Sequence, residues 1–367
     1  MLVRGLLRTT TRAQLGRRWY IATDQLKVGI VGTGMVGATA AYAMILQGIG
    51  REIVLVDLNK KRTEAEADDL NHAVPFTKPE LVTVGDYPDL DGCKVVVVAA
   101  GVSQKPGETR QALLGRNAKV FETVIPKILQ HSPKATLLVA TNPVDVMTHL
   151  AARFAAAHGA PASHVLGTGT CLDSARFSHL LGRHLGVDSS SVHGYVVGEH
   201  GDSEVLLWSL VTVGGVPLDD YCQARQILLD DAIKRDIDFK VRRAAYRIIE
   251  GKGSTYYGVG AAIAAIVHAI IHNEKCVLTI CAPMATVAGV QNTTVAMPFL
   301  VGGDGVIAVL PLSLQGEEYA QLSKSAEVIK EAIAGIDEME IAEENKQHNQ
   351  QGATNNHNNN NNNNQRA

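Results

Sequence analysis

The run KVGIVGTGMVG at residues 27–37 constrains this chain more than any other segment. A short stretch of Val and Ile ends in Gly32, Gly34 and Gly37, spaced GxGxxG, and the helix-like ATAAYAMIL follows directly. Gly32 permits a tight turn, Gly34 lets the main chain approach a pyrophosphate, and Gly37 allows a helix to lie close on a strand. The helix start presents free N–H groups and the positive end of its dipole to phosphates. GxGxxG alone is weak evidence; the strand before it and the helix after it give it meaning.

The next apolar run, EIVLVD, ends at Asp57, twenty positions beyond Gly37. A carboxylate there accepts hydrogen bonds from ribose hydroxyls and repels the extra phosphate of NADP, so the expected cofactor is NAD. Lys60, Lys61 and Arg62 follow closely. They either temper that preference or lie on a solvated helix face. KVVVVAA and TLLVA continue the series of short Val- and Leu-rich runs separated by helical stretches. Strands buried on both faces of a parallel sheet read this way. The pattern predicts an α/β fold: a doubly wound Rossmann-type parallel sheet over 26–165, followed by an α+β substrate domain over 166–338. The second region mixes helical segments with short strands such as SVHGYVV and LVTVGG.

Other classes are excluded. The formal net charge of -3 gives no global reason to bind nucleic acid. The most apolar stretch, GVGAAIAAIVHAII, carries His268 and is too short for a bilayer, so it reads as a buried core helix. The five cysteines, at 93, 171, 222, 276 and 281, form no CxxC pair. They suggest small buried thiols, with neither a zinc site nor a disulfide framework.

The two ends differ from the middle. Arginines at 4, 8, 12, 17 and 18 precede the first acidic residue, Asp24. Such an Arg-rich, acid-free leader over 1–23 predicts mitochondrial targeting, the alternative being an N-terminal extension on a cytoplasmic enzyme. Residues 341–367 form an Asn/Gln-rich tail with almost no apolar residues, and disorder is expected there.

Four segments carry candidate chemistry. QKPGETR, spanning Gln104 to Arg110, follows the strand-like KVVVVAAG at the ligand-binding end of such a sheet. TNPVD places Thr141 and Asn142 at the end of TLLVA, the fourth apolar run. GTCLDSARF carries Asp173 and Arg176 on one helical face. GEHGDS flanks His200 with glycines. Taken singly, these read as a surface ion pair, a loop histidine and a turn-forming asparagine. In this order, behind a nucleotide fingerprint, they resemble the lactate/malate dehydrogenase family from Lys27 to about Asp337.

The resemblance implies roles. His200 exchanges a proton with the substrate oxygen, and Asp173 fixes its tautomer. Arg176 grips the substrate carboxylate with two parallel hydrogen bonds. Arg110 polarises the reacting carbonyl from a closing loop, Asn142 adds a hydrogen bond near the same oxygen, and Thr255 lines the substrate wall. Met35, Val36, Arg62, Tyr87, Gly101, Val102, Thr141 and Asn142 fall where the family contacts NAD. A homotetramer is implied as well. Gln104 then bears on the substrate. The malate-specific branch has arginine at this position, pairing with a second carboxylate. A neutral amide leaves oxaloacetate's extra charge without a partner, so pyruvate and L-lactate are expected. A broader L-2-hydroxy acid specificity is the alternative, and malate a weaker one. Some bacterial members bind fructose 1,6-bisphosphate through an arginine and a histidine; here those positions are Ser178 and His193, so one cation is absent.

Overall fold

The computed structural model describes residues 26–78, 81–102, 107–314 and 316–338. Its first half alternates strand and helix. The strands are β1 (Lys27–Val31), β2 (Glu52–Val56), β3 (Leu81–Val84), β4 (Val95–Val98), β5 (Thr136–Val139) and β6 (Val165–Gly167). They pair in parallel in the order β3-β2-β1-β4-β5-β6. β4 and β5 are buried along their whole length, with helices on both faces of the sheet. This explains their unbroken Val and Leu composition.

β3 has no counterpart among the apolar runs read from the sequence. It is an edge strand with only Val82 buried, so it carries no continuous hydrophobic signal. Asn142 consequently follows the fifth strand rather than the fourth.

The helices between these strands are α1 (Met35–Gln47), α2 (Lys60–Ala73), α3 (Arg110–His131) and α4 (Val144–Ala157). Helix α5 (Cys171–Leu185) opens the second half. The short strands β7 (Val192–His193), β8 (Val196–Val197), β9 (Val205–Leu206), β10 (Thr212–Val213) and β11 (Val216–Pro217) follow. Helices α6 (Leu218–Arg225), α7 (Asp231–Arg242), α8 (Ala244–Lys252) and α9 (Tyr257–Ile271) come next. The long strands β12 (Cys276–Val287) and β13 (Val290–Gly302) precede β14 (Gly305–Val309) and a last helix, α10, 316–338.

The second half is not a separate layer. β12 pairs antiparallel with β6 at Cys281 and Gly167, and β13 and β14 extend the same sheet to nine strands among the described residues. One large apolar core therefore runs through both halves. A smaller one gathers Phe177, Leu181, Ile237 and Val241 between α5 and α7. GVGAAIAAIVHAII forms α9, whose Ile263, Ile266, Val267 and Ile270 are buried against the rest. A Cβ at Gly260 would meet Thr39 Cγ2 at 2.8 Å, so glycine lets α9 lie close on α1. Among the described residues no helix is long and apolar enough to cross a membrane.

Candidate active site

The strand order reverses between β1 and β4, and the carboxyl ends of these strands open a crevice. Gly32 has φ 102°, and a Cβ there would lie 2.4 Å from the Ala100 main-chain nitrogen. A Cβ at Gly37 would lie 2.0 Å from the Gly32 carbonyl oxygen, whereas one at Gly34 would meet nothing within 4 Å. Two glycines thus serve the protein's own close approach, and the third faces open space. Gly34 caps α1 without a side-chain hydrogen bond, and the first turn holds no acid. That leaves its N–H groups for an anion. Met35, exposed, and Val36, half-buried, begin the helix beside it.

Alongside lies a cavity of about 470 Å³ whose wall includes Gly32, Asp57, Tyr87, Gly101 and Val102. Asp57 Oδ2 accepts the Thr33 N–H at 2.7 Å and Oδ1 accepts the Asn59 N–H at 2.9 Å, so the carboxylate is fixed on the wall. Burial raises the Tyr87 hydroxyl's pKa, and the charges of Asp86 and Asp57 raise it further. Thr141 donates to the Ala100 carbonyl at 2.7 Å, and its methyl would meet a Cβ at Gly101 at 2.8 Å. Arg62 does not line this cavity: it points outward on α2 and pairs with Glu66 at 3.2 Å. An apolar slot, a fixed carboxylate and an uncapped helix start together fit a dinucleotide.

Beyond the crevice, His200 Nδ1 lies 2.5 Å from Asp173 Oδ2. Arg176, one turn along α5, donates from Nη1 to Asp173 Oδ1 at 2.8 Å. Asp173 is 2% exposed. Burial works against its charge, but His200 and Arg176 outweigh that and hold its pKa below the usual carboxylate range. Burial likewise disfavours the imidazolium, yet the Asp173 carboxylate, by charge and by hydrogen bond, takes the His200 pKa up to about 9. Asn142 is exposed at the end of β5, and Thr255 is half-buried in the turn between α8 and α9. Arg110 is the first residue of α3, where Thr109 caps the helix by accepting the Ala112 N–H at 3.1 Å. The Arg110 side chain and all of Gln104 lie outside the described residues.

Three successive N–H groups of the His200 loop are held by three separate elements. Gly198 N–H donates to the Ala296 carbonyl on β13 at 2.8 Å. Glu199 N–H donates to Ser325 Oγ on α10 at 2.7 Å. His200 N–H donates to Asp145 Oδ2 on α4 at 2.8 Å. Asp145, Ser325 and the buried Glu204 were not singled out from the sequence. Asp145 sits inside TNPVD, so a motif did contain it; Ser325 has no local signal at all. Asn117 was missed too, and its Oδ1 accepts the Val102 N–H at 2.8 Å beside the cavity.

A protein that delivers a hydride to one end of a C=O bond and a proton to the other needs a dinucleotide crevice and a proton-holding imidazole side by side. The fold and the site thus define an NAD-dependent oxidoreductase. Comparison narrows the class. Residues 26–164 match the lactate/malate dehydrogenase NAD binding domain, and 170–340 match the family's alpha/beta C-terminal domain. The chain belongs to the lactate/malate dehydrogenase family. It is 53% identical over 311 residues to L-lactate dehydrogenase of Geotalea daltonii, covering 85% of this chain and 99% of that one. It is also 53% identical over 311 residues to L-lactate dehydrogenase of Thermus aquaticus, with the same shares covered. Among solved structures, a lactate dehydrogenase from a Medee basin deep-sea metagenome library superposes with TM-score 0.82 at 39% identity, covering 85% of this chain and 98% of that one. The minor L-lactate dehydrogenase of Enterococcus mundtii gives 0.81 at 38% identity, with the same shares covered.

The kinship corrects one expectation. Mitochondrial targeting is overturned, because the relatives matched along almost their whole length are bacterial, and bacteria have no mitochondrion to enter. Residues 1–23 and 341–367 both lie outside the described residues.

Proposed function

We propose that this chain interconverts L-lactate and pyruvate with NAD. The observation that carries the reading is the Asp173–His200 pair at 2.5 Å, joined to Arg176 and set beyond a dinucleotide crevice. Curated relatives named L-lactate dehydrogenase support it.

Bound NADH supplies the hydride. His200, protonated at neutral pH with its pKa up to about 9, gives its Nε2 proton to the carbonyl oxygen. Asp173 takes up the Nδ1 side, which directs Nε2 to the substrate and offsets the imidazolium charge. Arg176 uses one guanidinium nitrogen on Asp173, so its remaining N–H groups can bind the substrate carboxylate. Arg110, on the first turn of α3, polarises the carbonyl, with Asn142 beside the same oxygen and Thr255 on the wall. Asp57 binds the adenosine ribose, and Gly34 admits the pyrophosphate where Gly32 and Gly37 let turn, strand and helix pack closely around it. In this reading residues 26–165 carry the nucleotide together with the substrate groups Gln104, Arg110 and Asn142, residues 166–338 carry Asp173, Arg176, His200 and Thr255, and the chain assembles as a homotetramer.

Gln104 selects the substrate. Replacing it with arginine supplies the countercharge that oxaloacetate requires. NADH oxidation assayed with pyruvate and with oxaloacetate, in the native enzyme and in Gln104→Arg, tests both points. Pyruvate dominates in the first, and the ratio shifts toward oxaloacetate in the second. An enzyme that prefers oxaloacetate from the start overturns the reading.

A further inference from the structure

Asp145 is the second residue of α4 and 1% exposed, wedged among Val144, Val146 and Met147. A carboxyl group in such a shell is costly unless it serves a partner. It sits in the first turn of α4, where a negative charge suits the helix dipole, but among the described residues no hydrogen bond from its own helix to its side chain is found. Its Oδ2 reaches across 55 positions to the His200 N–H at 2.8 Å. Its Oδ1 meets no donor in ordinary hydrogen-bond geometry among the described residues, though the Cys281 thiol lies close enough to favour the charged form of the carboxyl. The nearby Cys281 thiol on β12 is engaged with Thr148 Oγ1 at 3.4 Å.

We propose that Asp145 is a positioning residue for His200: its Oδ2 holds the main chain that carries the imidazole, and its charge governs how firmly that imidazole keeps its proton. The inference rests on the lactate–pyruvate reading and adds a residue to it. An asparagine would hold one N–H as well; only a carboxylate also senses the charge on the ring.

The groups around the two partners are few. Facing Asp145 are His200 and Glu199 from the loop and Cys281 from β12. Facing the imidazole are Asp173 from α5, Asp145 from α4, and Glu204 just before β9. Burial pushes the Asp145 carboxyl up to about 7, while the His200 N–H and ring charge pull it down. The value of about 7 already includes that pull, so near neutral pH the carboxyl is about half ionised while the imidazolium is present. Once His200 passes its proton to the substrate, the cation favouring that ionisation is gone. The two titrations are linked, and each group strengthens the other's charged form.

Two variants separate the two functions. Asp145→Asn keeps an acceptor for the His200 N–H and removes the charge; Asp145→Ala removes both. Pyruvate reduction is followed against pH in each, and His200 is titrated by NMR in the NADH-bound protein. In the Asn variant the alkaline fall of pyruvate reduction and the His200 titration both move to lower pH, by roughly half a unit or more. The KM for NADH stays close to that of the unsubstituted enzyme. In the Ala variant kcat falls a further tenfold or so, because the imidazole is no longer held in place. An Asn variant whose profile and titration superimpose on the unsubstituted enzyme's overturns the charge role. An Ala variant with the Asn variant's kcat overturns the anchoring role. If the unsubstituted enzyme fails to reduce pyruvate, the functional reading falls, while the His200 titration still decides the part played by Asp145.

Discussion

The Nδ1 of His200 lies 2.5 Å from Oδ2 of an Asp173 carboxylate that is almost wholly buried. Neither group would be charged so readily alone in such a place. The carboxylate raises the imidazole's proton affinity, and the imidazolium with Arg176 keeps the carboxylate ionised. Asp173→Asn breaks this exchange and presents an N–H where an acceptor is needed. Pyruvate reduction at neutral pH is expected to lose roughly 10²–10⁴-fold in kcat/KM, the range for a mispositioned general acid. NADH binding, measured by fluorescence, stays near the native value because the crevice is untouched.

The pH dependence follows with a definite sign. His200 moves from an ordinary value of 6.5 up to about 9 in the folded protein. Reduction of pyruvate needs the protonated ring, so its rate holds through neutral pH and falls as pH rises through about 9. Oxidation of L-lactate needs the neutral ring and gains over the same range. The raised value also stabilises the fold: that contribution is complete below 6.5 and is lost as pH rises through about 9. Initial rates in both directions, with thermal unfolding at matched pH, check all three statements.

Asp57 should enforce NADH over NADPH. Two main-chain N–H groups hold its carboxylate against the cavity. The one nearby arginine proposed for the cofactor, Arg62, is turned away to Glu66. A 2'-phosphate would meet fixed negative charge, and Lys60 on the same wall is engaged with the Gly85 carbonyl at 2.7 Å and lies 3.8 Å from the Asp86 carboxylate. Asp57→Ser removes the clash and raises kcat/KM for NADPH by about tenfold or more, equivalent to ~1.4 kcal/mol. Equal use of the two cofactors by the unsubstituted enzyme would contradict the assignment.

Ser325 anchors the catalytic loop from the far end of the chain. Its hydroxyl accepts the Glu199 N–H at 2.7 Å and lies 3.0 Å from Ser203 Oγ. Ser325→Ala leaves that N–H unpaired in a buried setting, at a cost of about 1–3 kcal/mol. Both Tm and kcat for pyruvate reduction should fall, and Ser325→Thr should restore part of each.

Fructose 1,6-bisphosphate should leave the pyruvate saturation curve unchanged. His193 is exposed on β7, but Ser178 on α5 brings no charge. Of the two nearby groups that could substitute, Arg183 is exposed more than one turn beyond Ser178, and His184 has its Nε2 2.8 Å from the Leu228 carbonyl. A clear drop in apparent KM with millimolar effector would show a substitute cation.

Much of this protein was determined locally. The strand, turn and helix around Gly32, Gly34 and Gly37 follow from side-chain size and apolar period, and both are written in consecutive residues. Asp57 at the end of β2, and Asp173 and Arg176 one turn apart on α5, were legible for the same reason. What only the tertiary structure decided has no local trace. The edge strand β3 buries one residue in four and so carries no pattern. The joining of β6 to β12 through Gly167 and Cys281 depends on chain segments more than a hundred residues apart. The loop that carries His200 is held by Asp145 from 55 positions before and by Ser325 from 126 positions after Glu199. A hydrogen bond between distant segments leaves no periodicity in either, because each partner needs only one polar atom in the right place.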